Sequence, residues 1–75
     1  MNKTDFLVAL EDILQREAEC IETDLLEDYD EWDSLSKMSV MAYYFQNFGV
    51  QLTLQQLKDV STVSDLISLA GGKIE

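Results

Sequence analysis

Few side chains in this chain could do chemistry, and Ser34 and Cys20 are the two with a nucleophilic oxygen or sulfur worth weighing. Histidine is absent, which removes the commonest general base and the commonest metal ligand. No lysine adjoins Ser34 or Cys20, so neither has an activating base beside it in sequence. Carboxylate pairs such as Asp28 and Asp30 lie in a strongly acidic run, where the raised pKa of a general acid is not expected. A calcium loop beginning at Asp28 fails as well: Trp32 falls fifth, Asp33 falls where glycine is required, and Ser39 stands in place of the closing glutamate. With no glycine-rich phosphate loop and no HExxH motif, neither a catalytic residue nor a metal site is expected. Cys20, the lone cysteine, reads as a small core residue; it cannot form an internal disulfide, and a reducing cytosol is the expected compartment.

Ser34 stands apart through its position. It closes the acidic turn Glu31-Trp32-Asp33-Ser34 and opens an apolar run from Leu35 to Phe48. A serine at a helix start is ordinarily an N-cap. The same place suits a phosphate ester, because free N–H groups and the positive end of the helix dipole stabilise negative charge there.

The elements that must position Ser34 can be read in order. Phe6, Leu7, Leu10, Ile13 and Leu14 recur at helical spacing, so a first helix is expected from about Thr4, as N-cap, to Ala18. Glu17, Glu19, Glu22, Asp24, Glu27, Asp28, Asp30, Glu31 and Asp33 follow with no lysine or arginine among them, which predicts a long loop pinned by Ile21, Leu25, Leu26 and Trp32. A second helix runs from Ser34 or Leu35 to Phe48 and stops at Gly49. Its apolar side chains cover an arc of roughly 220°, about twice what one-sided packing needs. The helix is therefore central to the bundle, or turns part of its surface to a partner. Thr53 can cap a short third helix carrying Leu54 and Leu57, and Thr62 with Asp65 makes a capping-box-like start to a fourth that ends at Gly71-Gly72. The expected fold is all-α: one domain over residues 1–75, three longer helices and one short one, with a long loop between the first two.

At 75 residues such a domain buries only about 60% of its unfolded surface. A net charge of −10 without a basic patch argues against nucleic acid and for steering towards basic partners. The opening MNKTDFLVALEDIL has the form of neither a signal peptide nor a membrane span.

Asp33-Ser34-Leu35, preceded by Trp32, resembles the Asp-Ser-Leu signature of acyl carrier proteins. The likeness continues through Phe48-Gly49-Val50, Leu52-Thr53 and Thr62-Val63-x-Asp65-Leu66, and so spans essentially the whole chain. The resemblance implies a four-helix carrier fold in which a separate phosphopantetheinyl transferase esterifies Ser34 with 4′-phosphopantetheine from coenzyme A. Acyl groups then ride as thioesters on the arm's thiol. It further implies that Asp33 helps position magnesium-bound coenzyme A during the transfer and that Leu35 is an apolar contact beside the serine. Val40, Met41, Tyr44 and Phe48 match inward positions, while Met38, Ala42 and Phe45 match the side met by partners. Those partners would be acyl-loading and acyl-processing enzymes with basic or apolar docking surfaces, and a monomer is expected.

The chain departs from fatty-acid carriers in one respect. Ser36, Ser39, Phe45 and Gln46 occupy positions that are acidic in typical members, and Lys37 adds a positive charge. A specialised carrier, dedicated to one pathway, is the expectation. Two alternatives stand beside it: an aminoacyl or peptidyl carrier, whose usual Gly-Gly before the serine is missing here, and a non-catalytic helical interaction module in which Ser34 is only a cap.

Overall fold

Four helices form in the computed structural model, which describes residues 1–75: α1 (Lys3–Leu14), α2 (Ser34–Phe48), α3 (Leu54–Asp59) and α4 (Val63–Ser68). There are no strands, and the one isolated β-bridge pairs Leu25 with Thr62. The all-α, four-helix expectation holds. No helix is long and apolar enough to cross a membrane.

α1 is capped earlier and ends sooner than its sequence pattern suggests. Asn2, extended at φ −91° and ψ 166°, accepts the Asp5 N–H at 2.7 Å, so Asn2 and not Thr4 is the N-cap. The helix stops at Leu14 instead of Ala18 because Gln15 turns into the left-handed region at φ 54°. The Gln15 and Arg16 N–H groups then close back on the carbonyls of Asp12 and Glu11, which satisfies the last turn without a glycine. Phe6, Leu10 and Leu14 are buried from this helix, with Leu7 and Ile13 half-buried.

The acidic stretch is a loop, as its charge density implies, with one 3₁₀ turn at Leu26–Asp28. Its anchors differ in part from expectation. Cys20, Leu26 and Tyr29 are buried and Trp32 half-buried, whereas Ile21 and Leu25 are 52% and 40% exposed. The reason lies in the backbone. Leu26 N–H donates to the Ser61 carbonyl, Val63 N–H to Asp24 and Ser64 N–H to Glu22, at 2.9–3.0 Å. An extended segment sends successive side chains to opposite faces, so seating Leu26 in the core turns Leu25 out.

α2 has the predicted bounds, and Gly49 at φ 67° ends it with the Gly49 N–H on Phe45 and the Val50 N–H on Tyr44. α3 starts at a reciprocal capping box, Thr53 with Gln56, and α4 at another, Thr62 with Asp65. The regular part of α4 ends at Ser68, short of Gly71, and continues in tight turns that bond Ala70, Gly71 and Lys73 three residues back. α4 is thus as short as α3.

Tyr44 is the centre of the packing. It is fully buried, its ring meeting Phe6 at 5.9 Å and Phe48 at 5.1 Å between centroids, both edge-to-face. Its hydroxyl donates to the Leu66 carbonyl at 2.6 Å, which ties α2 to α4 through an otherwise apolar interior. Burial holds the phenol well above its ordinary pKa, so it remains a neutral donor. Tyr44→Phe should lower the unfolding free energy by about 1 kcal/mol, the usual worth of one hydrogen bond. Tyr44→Ala should cost about 3–5 kcal/mol through the cavity it leaves. Urea denaturation followed by circular dichroism measures both.

Candidate functional site

Ser34 is the first helical residue of α2, and Asp33 before it is the N-cap. The Asp33 carboxylate accepts the Ser36 N–H at 2.9 Å, and the Ser36 hydroxyl accepts the Asp33 N–H at 2.9 Å while donating to the Asp33 carbonyl at 3.0 Å. This capping box uses the serine two places after Ser34 and leaves Ser34 out. The reading of Ser34 as a plain N-cap is therefore corrected. An extended Asp33, at φ −122°, reaches the third N–H of the helix, while the side chain one residue later points away from the axis.

The consequence for Ser34 is simple. It is exposed, and its hydroxyl has no partner within the chain. The cap also tunes its neighbour: the Ser36 N–H, chief among several donors, holds the Asp33 carboxyl below the usual carboxylate range. Glu31 is held low mainly by its own N–H, with the Arg16 guanidinium adding to the effect.

The approach to Ser34 is fixed from α1. Arg16, delivered by the left-handed turn at Gln15, donates from Nη1 to Glu31 at 3.0 Å and sits over the Tyr29 ring, its Cζ 3.9 Å from the centroid. The Tyr29 hydroxyl donates to Asp24 at 2.6 Å, and the Cys20 N–H to Glu11 at 3.0 Å. Cys20 is buried in the core, and that burial pushes its thiol above the ordinary range. Sequence spacing gave no sign of this clamp, since Arg16 and Glu31 are fifteen residues apart.

The remaining candidates lie along one exposed stripe of α2. Leu35 is 73% exposed, Met38 and Phe45 each 60%, and Ala42 is exposed between them. Val40 and Tyr44 face inward as expected, and Met41 and Phe48 are half-buried. Asp33 and Leu35 thus flank Ser34 directly, while Phe45 lies about three turns further on. Met41, Ala42 and Phe45 also border a shallow groove with Gln51 and Leu52.

Two further grooves flank the start of α2, and they differ in charge. One, towards the end of α1, is lined by Ile13, Leu14, Gln15, Glu31, Asp33, Leu35, Ser36 and Ser39, with acids as its only charges. The other, towards α3, includes Trp32, Lys37 and Lys58. No group of three or more Cys, Asp or Glu side chains is placed to hold a metal ion. Comparison with protein-family models, curated proteins and solved structures finds no match to this chain.

The division between cap and free hydroxyl can be checked by stability. Ser34→Ala should shift the unfolding free energy by no more than about 0.5 kcal/mol, while Asp33→Ala should lower the thermal midpoint clearly. A folded-state pKa below the unfolded one adds stability above the unfolded value and loses it as pH falls through the folded value. An NMR titration of the Asp33 carboxyl should therefore give a midpoint below the ordinary Asp value of about 3.9. The midpoint gap between wild type and Asp33→Ala should close on acidification through that range.

Proposed function

We propose that the chain is an acyl carrier protein whose Ser34 receives 4′-phosphopantetheine from coenzyme A, with acyl intermediates carried as thioesters on the arm. The observation that carries this reading is the idle serine. Asp33 and Ser36 complete the cap, so Ser34 has no structural task at the one position where the resemblance requires a modifiable hydroxyl. Its exposure leaves it open to a transferase, and the helix start favours the negative charge of a phosphodiester.

The residues present fit the group. In the transfer, the Ser34 oxygen forms the new P–O bond as the pyrophosphate linkage of coenzyme A breaks. The nucleotide half leaves with that electron pair, and a base on the transferase takes the hydroxyl proton. Within this chain, Asp33 and Glu31 border the acidic groove on one side of Ser34, where a transferase-bound divalent cation would find carboxylates held ionised. Leu35 supplies an uncovered apolar contact next to the serine.

Partner recognition on this reading is not that of a fatty-acid carrier. α2 contains no acid, and Lys37 is its only charged residue. Partners of the α2 face would meet Leu35, Met38, Ala42 and Phe45, which favours apolar docking surfaces, while the acidic loop before Ser34 steers a basic transferase. These features favour a specialised carrier over a general one, and the lone unpaired Cys20 is in keeping with a reducing cytoplasm. The same stripe supports a second reading, a helical interaction module that docks a protein and is never modified.

Intact mass separates the two. Incubation with coenzyme A, magnesium and a broad-specificity phosphopantetheinyl transferase should add one phosphopantetheine to the wild type and none to Ser34→Ala. A folded wild type that gains nothing, beside a modified positive control, rejects the carrier reading and leaves the module.

A further inference from the structure

The groove on the α3 side of Ser34 holds an arrangement that the carrier reading alone does not require. It measures about 320 Å³ and is walled by Leu25, Trp32, Leu57 and Val60, with Lys37, Lys58, Ser61 and Glu27 as its polar members. That volume falls at the lower end of the range for small-molecule sites. Ser34 does not line it, but Lys37, one helical turn after the serine, and Trp32, two residues before it, both do.

The cations in it are conspicuous by their freedom. The chain has five lysines and arginines against fifteen acids, so a cation without a carboxylate partner is unexpected. Lys3 pairs with Glu22 at 3.4 Å and Arg16 with Glu31 at 3.0 Å. Lys37, Lys58 and Lys73 make no ion pair, and two of those three converge on this one groove from different helices. Lys37 rests over the Trp32 ring, 5.6 Å from its centroid, and Glu27 is the single opposing charge in the lining.

We infer that this groove is a subsite for the free carboxylate of a short acyl group, with Lys37 and Lys58 taking the charge and Trp32, Leu57 and Val60 the aliphatic chain. The assignment of that acyl group as cargo rests on the carrier reading, whereas the anion preference of the groove does not. A carboxylate with a few methylenes matches both halves of the lining: two ammonium groups and a hydroxyl, set against apolar walls. Neutral acyl chains would leave both ammonium groups unused, and long ones would exceed the groove.

Trp32 is the only tryptophan and lines the groove, so its fluorescence reports occupancy directly. Succinyl-pantetheine and butyryl-pantetheine share a four-carbon acyl chain and differ in the terminal carboxylate. Each is titrated into the unmodified chain, and binding is read from the midpoint of the curve. A chain of net charge −10 repels an anion in general, so without a subsite the succinyl compound binds no better than the butyryl one. The expected result is at least about tenfold tighter binding of the succinyl compound, the equivalent of one charge-assisted hydrogen bond. That preference should vanish in Lys58→Gln, persist in Lys73→Gln, and weaken with added salt. Equal or tighter binding of the butyryl compound, or a preference that survives Lys58→Gln, overturns the inference. The same comparison on chain loaded at Ser34 with succinyl or butyryl arms tests the cargo assignment, the succinyl arm alone being expected to alter Trp32 emission. A chain that the transferase leaves unmodified but that still prefers the free succinyl compound would retain the subsite and lose the carrier reading.

Discussion

Three backbone hydrogen bonds, from Leu26 to Ser61, Val63 to Asp24 and Ser64 to Glu22, decide whether the acidic loop has a shape at all. Nine carboxylates between Glu17 and Asp33 repel one another, and only two ion pairs reach into the segment, Lys3 with Glu22 and Arg16 with Glu31. Attraction between charges therefore cannot hold it. Neutral N–H to carbonyl bonds can, because they are indifferent to the sign of the field around them. They work together with the burial of Cys20, Leu26 and Tyr29, worth about 1.5–3 kcal/mol for a fully buried large apolar side chain. Since the loop docks on the start of α4, and Tyr44 ties α4 to α2, the position of Ser34 is set by the far side of the bundle as much as by its own helix.

Around Ser34 the labour is divided between neighbours. Asp33 and Ser36 satisfy the helix end, Glu31 is held by Arg16, Trp32 leans into the groove beside Lys37, and the serine itself is left idle. A hydroxyl with no internal partner loses nothing structurally when it is esterified, and the cap does not have to open for a modifying enzyme to reach it. The two grooves beside it add an asymmetry of charge within one turn of helix: carboxylates towards α1, ammonium groups towards α3. A group attached at Ser34 is thus offered two environments of opposite sign, and its own charge decides between them.

Much of this was legible in the residues, and the failures have identifiable causes. The bounds of α2 followed from its apolar run and Gly49, and the start of α4 from Thr62 and Asp65, since each rests on a local rule that tertiary packing did not override. The box at Thr53 and Gln56 obeys the same rule as that of α4 and was readable in the same way. The end of α1 was not, because a left-handed Gln15 is a choice the sequence disfavours and only the docking of Arg16 on Tyr29 and Glu31 explains it. Ile21 and Leu25 were expected inside on hydrophobicity alone; the pairing of the loop with Thr62 sets which face turns inward, and pairing partners far apart in sequence leave no local signal. The alternative in which Ser34 is only a cap places the cap one residue late. Asp33 and Ser34 are both good N-caps, and the choice between them depends on which one the preceding loop holds extended.

The bare apolar stripe on α2 bears on how any partner reads this surface. Long-range steering depends on net charge, and a chain at −10 draws basic surfaces from beyond contact, although at physiological salt the reach is only about 8 Å. Once contact is made on α2, no acid remains to continue that attraction, and Lys37 opposes it. Leu35, Met38 and Phe45 then supply the binding surface, through an area term that salt does not screen. On the carrier reading, encounter and affinity are therefore separated in space: the loop before Ser34 sets how quickly a basic enzyme arrives, and the helix after it sets which enzyme stays. A partner built to grip an acidic helix gains the first and is refused the second, which is how a carrier with this helix would be kept to its own enzymes.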